Sequence, residues 1–170
     1  MEDILTNIPE KRSRPTFLTV LCILTFIGSG WGIISGFTSY ASANLTAGLT
    51  QAAMEDAQKE LENEELTGSG AAIANQMLAG VSDVLKPENI RKNAIFSIVS
   101  CVLTLAGGIL MFRLSKTGFW LYVLGTLIGI VAPFIVYGAA NFVTILSSSA
   151  IAFFGILFVV LYGLNLKHLR

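Results

Sequence analysis

Between Asn89 and Arg170 the chain has no aspartate and no glutamate; every acidic residue lies at or before Glu88. Charge is scarce throughout: 13% of residues are Asp, Glu, Lys or Arg and 54% are hydrophobic, against roughly 25% charged in soluble domains. Histidine occurs once, as His168 beside the C-terminus. With no carboxylate near it in sequence, that imidazole offers neither an acid–base pair nor a metal-ligand set. Cysteine occurs twice, and Cys22 and Cys101 both sit in apolar runs at different expected depths. They read as small buried hydrophobes, not as a disulfide or as activated thiolates. No phosphate-binding glycine loop precedes a helix, and no basic surface carries interleaved aromatics. Enzymatic chemistry, bound cofactors and metals, and nucleic-acid partners are therefore not expected.

What the chain does have is long apolar runs. Asn93–Phe112 and Phe119–Gly138 each hold about 20 residues without Asp, Glu, Lys or Arg, enough at about 1.5 Å per residue to cross a hydrocarbon core of about 30 Å. Arg113-Leu114-Ser115-Lys116-Thr117-Gly118 joins them. It is too short for anything but a tight turn, and its two positive charges favour the cytoplasmic side. Phe17–Phe37 is a further charge-free run behind the basic flank Lys11-Arg12-Ser13-Arg14. It is longer than the about 7–15 residues of a signal-peptide core, so we read it as a retained span despite the Ala41-Ser42-Ala43 triplet. A fourth span is expected over residues 149–166, with Asn141-Phe142 as an alternative start. The short loop 139–148 would precede it and the basic tail 167–170 would follow.

The opening Pro15-Thr16-Phe17-Leu18-Thr19-Val20-Leu21-Cys22-Ile23-Leu24-Thr25-Phe26-Ile27-Gly28-Ser29-Gly30 resembles the first span of small four-span membrane proteins common in Bacteroidota. Beyond it the likeness rests on hydropathy and on Lys116-Thr117-Gly118-Phe119-Trp120. That group is functionally uncharacterised, so the resemblance implies a bacterial inner membrane and no activity.

Within the spans, Gly28, Gly32 and Gly36 recur every four residues, and Gly125 and Gly129 form a small-xxx-small pair. Both patterns suit close helix packing, within the chain or with another copy. Trp120, Tyr137 and Tyr162 fall near span ends, where amphipathic rings suit the interface.

Thr38–Lys92 is the only sizeable polar segment. Ala41–Leu66 is rich in good helix formers without proline, so the first span is expected to continue outward as one helix. Thr67-Gly68-Ser69-Gly70 reads as a turn, and Ala71–Lys86 as an amphipathic helix ended by Pro87. Its stripe Ala74, Leu78, Val81, Leu85 is the candidate partner-binding face. The acidic run Glu60–Glu65 reads as a solvated face, because consecutive acids on a helix point in different directions and cannot surround a cation.

The expected fold is thus all-α: a polytopic membrane protein of four transmembrane helices with an extramembrane helical hairpin over residues 38–92. The segments 1–16, 113–118 and 167–170 are expected on the cytoplasmic side. No span holds an ionisable carboxylate, lysine, arginine or histidine, which argues against proton-coupled transport. The expectation is a non-enzymatic structural or accessory subunit, bound to another membrane protein or to copies of itself within the bilayer. The alternative is a small oligomeric channel or a lipid-facing carrier, for which Ser97, Ser100, Cys101 and Thr104 give a faint polar stripe.

Overall fold

The structure, a computed structural model, describes residues 16–63, 69–139 and 141–166. The basic tails, His168, and Glu64 and Glu65 lie outside the described residues, as do the side chains of Glu60 and Glu62. Five helices follow in order: α1 Thr16–Asn63, α2 Ser69–Val84, α3 Pro87–Phe112, α4 Lys116–Tyr137 and α5 Phe142–Leu164. The fold is all-α, and α1, α3, α4 and α5 are long and apolar enough to cross a membrane.

α1 runs unbroken for 48 residues, about 70 Å at 1.5 Å per residue. Within the apolar part the backbone has no partner but itself, which enforces the helix despite four glycines. Beyond it Thr38, Ser42 and Thr50 turn their hydroxyls back onto carbonyls one turn earlier, at 2.7–3.0 Å. The contact face of α1 is Leu18, Cys22, Thr25, Ser29, Gly32, Gly36, Ser39 and Ala43, spaced alternately four and three. This is a heptad seam built from small and polar residues.

α3 starts at Pro87, whose missing N–H costs nothing in a first turn, with Glu88 beside the N-terminus and paired to Lys92 at 2.6 Å. The turn into α4 closes as a Schellman motif. Ser115 N–H donates to Leu110 O and Leu114 N–H to Met111 O, both at 2.9 Å. Leu114 takes the left-handed position at φ 64°. Glycine would be less strained there, but Leu114 packs on the apolar cluster beneath the turn.

α3 lies between α1 and α4, and α5 packs on the far side of α4. α3 and α4 approach backbone to backbone through glycines. A Cβ at Gly107 would stand 2.7 Å from Tyr122 N, and one at Gly118 would stand 2.6 Å from Gly107 O. Near the turn all four spans meet in a core of Leu18, Leu21, Cys22, Met111, Tyr122 and Tyr162. Neither cysteine is in a disulfide; Cys22 belongs to this core, whereas Cys101 lies against Gly32 farther along.

Three expectations are corrected. α5 begins at Phe142, not at Ser149, because Asn141 caps it by accepting from Val143 N–H at 2.9 Å. Two of the hydroxyls that made this stretch look loop-like are absorbed by helices: Ser147 donates to Val143 O and Ser148 to Ile130 O on α4. Tyr162 is not interfacial; it is fully buried, edge-on to Tyr122 at 5.0 Å. Finally, α2 does not lie along the outer part of α1 as a close hairpin. Its C-terminal half packs over the end of the bundle, with Asn141 donating to Gly80 O at 2.9 Å and Val84 and Leu85 near Ala94 and Tyr137. The inward face of outer α1 is Ala43, Thr46, Ala47 and Thr50, too small and polar to seat a leucine stripe.

Candidate functional site

Two places are among those that the described residues leave open. The first lies inside the bundle. α1 and α5 meet near the turn, where Thr25 Oγ1 and Tyr162 OH share a hydrogen bond of 2.8 Å, and scarcely touch elsewhere. Between them remains a cavity of about 440 Å³, within the about 300–1,000 Å³ usual for small-molecule sites. α1 contributes Leu24, Thr25, Gly28 and Ser29, α3 contributes Ser100 and Thr104, and α4 contributes Tyr122 and Thr126. The α5 wall is apolar: Ala150, Ile151, Phe154, Gly155 and Phe158. Leu24 and Phe154, 49% and 62% exposed, stand on the two helices that border the opening. The cavity therefore faces sideways, towards whatever surrounds the spans.

The polar atoms of this cavity are hydroxyls, and most of their protons can be traced. Ser100 donates to Gly125 O at 2.7 Å, Thr126 to Tyr122 O at 3.0 Å, and Thr104 to the carbonyls of Ser100 and Cys101 at 3.1 and 3.0 Å. Ser29 Oγ lies 3.0 Å from Thr104 Oγ1. Because the single Thr104 proton is on the main chain, Ser29 is the donor in that pair. Ser29, Ser100, Thr104 and Thr126 thus keep lone pairs while their protons are engaged. Among the described residues no carboxylate, amine, guanidinium or imidazole lines the cavity.

The predicted packing glycines separate. A Cβ on Gly32 would fall on Cys101 Sγ, and one on Gly36 would stand 2.6 Å from Ile98 Cγ1, both on α3. A Cβ on Gly125 or on Gly129 would stand 2.9 Å from Ser100 on α3. A Cβ on Gly28 would meet nothing within 4 Å, and Gly28 opens on the cavity instead. These glycine faces are used between the chain's own helices. The residues that carry the bundle but were not read from the sequence as packing residues are Gly107, Gly118, Thr25, Ser29 and Tyr162. Of the polar stripe on α3, Ser100 donates to Gly125 O, and Thr104 bonds to its own helix and to Ser29.

The second open place is the end carrying α2. Arg91 bonds Asn44 at 3.3 Å and lies 5.9 Å above the Tyr40 ring, which marks the level where the charged boundary crosses α1. Ile27, Trp31, Ile34, Leu45 and Leu49 share one face of α1, and every one is exposed. That face therefore continues past the charged level, with Leu49 about 7 Å beyond Asn44. The stripe Ala74, Leu78, Val81, Leu85 is half-buried, and Ile73 and Met77 are the exposed large apolar side chains of α2. Among the described residues no group of three or more His, Cys, Asp or Glu could hold a metal ion.

Comparison with protein-family models, curated proteins and solved structures finds no match for this chain.

Proposed function

We propose that this chain is a non-enzymatic integral membrane protein that serves as an accessory subunit of a bacterial inner-membrane assembly. The observation that supports this most is the exposed face Ile27, Trp31, Ile34, Leu45, Leu49. Bilayer contact accounts for its first part. Leu45 and Leu49 lie at and beyond the level of Arg91, where contact with another protein would take exposed apolar side chains out of water. Burying those two leucines, and the exposed Ile73 and Met77 of α2, would contribute about 1.5–3 kcal/mol each before the costs of association. The glycine faces are engaged inside the chain, so this reading moves the partner contact from the glycines to α1 and the exposed side of α2. The basic turn Arg113–Lys116 faces the cytoplasm in this reading, with both termini on that side.

The test is a photo-crosslinking amino acid placed at Leu49 and, as a control, at inward-facing Ala47, in native membranes. Adducts at position 49 to a protein of another sequence, absent at position 47, are expected and should vanish in Leu45→Glu. Adducts to lipid alone, or only to a second copy, would sink the accessory reading.

A further inference from the structure

We infer that the cavity between α1 and α5 binds an uncharged amphiphile with a hydrogen-bond-donating head, an alcohol, drawn sideways from the bilayer. This inference stands on the interior of the bundle and is independent of any partner at the α2 end. Three observations carry it. The opening lies between two membrane-spanning helices and is bordered by Leu24 and Phe154, so an entering molecule comes from lipid. The α5 wall is apolar and suits a hydrocarbon body. The opposite wall presents hydroxyl oxygens whose protons are held elsewhere: Ser100 by Gly125 O, Thr104 by its own helix, and Ser29 by Thr104.

The head-group class follows from that inventory. A Ser or Thr hydroxyl has one proton and two lone pairs. With the proton engaged, the oxygen can still accept, and a ligand gains most by donating to it. An alcohol does so. An ether, ester or ketone of the same shape must compete for protons already in use. A charged head is excluded more strongly, because nothing in the lining compensates it and charge is costly at membrane depth.

The structure also supplies the means to close the site. A Cβ at Gly28 meets nothing within 4 Å, and Gly28 lines the cavity, so Gly28→Phe fills the space without a clash at its first atom. Gly30 has equally free space but is not part of the lining, which makes Gly30→Phe the size-matched control.

The experiment uses the full chain in phosphatidylcholine vesicles with a diazirine-bearing hexadecanol as the photoprobe. Labelling should map to α1 or α5 and should fall at least tenfold in Gly28→Phe but not in Gly30→Phe. Unlabelled hexadecanol should compete at least tenfold better than hexadecyl methyl ether or hexadecylammonium. Ser29→Ala should retain ether competition while lowering the alcohol preference, a readout that a folding defect would not produce. Equal competition by alcohol and ether, or unchanged labelling in Gly28→Phe, overturns the proposal. So does rapid modification of Gly28→Cys by a membrane-impermeant thiol reagent, which would make the cavity a water path.

Discussion

Gly118→Ala should destabilise the protein even though alanine is the better helix former. The added methyl would stand 2.6 Å from Gly107 O, 2.6 Å from Met111 N and 2.8 Å from Leu110 Cβ. Two of these are main-chain atoms of α3 and cannot swing aside, and ordinary contact begins at 3.4 Å. α3 and α4 must therefore separate by several tenths of an ångström. Overpacking of this kind costs about 1–3 kcal/mol. The separation also strains the 2.7 Å bond from Ser100 to Gly125 O, which contributes about 0.5–1.5 kcal/mol. Against this, alanine returns about 1 kcal/mol of helix propensity. The net expectation is a loss of about 1–3 kcal/mol. Gly30→Ala meets nothing within 4 Å, so only the propensity term acts and a gain of up to about 1 kcal/mol is expected. Unfolding in mixed micelles by sodium dodecyl sulfate, followed by far-UV circular dichroism, orders the three proteins. Gly118→Ala unfolding no earlier than wild type would refute the backbone-contact account, as would equal destabilisation by both alanines.

Two further outcomes test the rest of the architecture. Asn141 does two jobs, accepting from Val143 N–H and donating to Gly80 O. Asn141→Asp keeps the cap but loses the donor, so it should release α2, read as faster amide exchange over Ser69–Val84, while α5 stays protected; Asn141→Ala should also lose about 1 kcal/mol of cap stability. In a background lacking Cys22 and Cys101, an impermeant thiol reagent outside intact cells should label cysteine at exposed Ser82 and spare cysteine at Thr117, and the reverse pattern would invert the proposed orientation.

The existence of the spans was legible because hydrocarbon demands length and apolarity, and both are properties of a run of residues. The start of α3 was legible for a local reason: Pro87 fits a first turn and little else. The start of α5 was legible only as the alternative at Asn141-Phe142, because Asn141, Ser147 and Ser148 read as a polar loop until their partners are known. Ser147 is satisfied by its own helix, Ser148 by α4, and Asn141 by Val143 and Gly80. The placement of α2 was hidden for the converse reason. Its stripe of Ala74, Leu78, Val81 and Leu85 announces a need for burial, but the surface that provides it lies at the far end of the chain, beside Asn141.

Of the glycine row on α1, Gly32 and Gly36 pack on α3 as read, and Gly28 was misplaced through the choice of period. In a soluble helix the apolar residues mark the contact face. In a span nearly every residue is apolar, and the face is marked by small and polar side chains. A four-residue row of glycines also turns by about 40° at each step. Gly28 is thus rotated by about 80° from Gly36 and leaves α3, although both belong to the same row. The row that stays in contact alternates four and three: Thr25, Ser29, Gly32, Gly36, Ser39, Ala43. The same rule applied to α5 selects Thr144, Ser148, Gly155 and Tyr162, which include its three buried residues. Near the turn these two seams close on each other through Thr25 and Tyr162. Farther on, Gly28 and Ser29 line the gap from α1, and Gly155, packed against Thr126, lines it from α5, so small residues stand on both sides of the cavity.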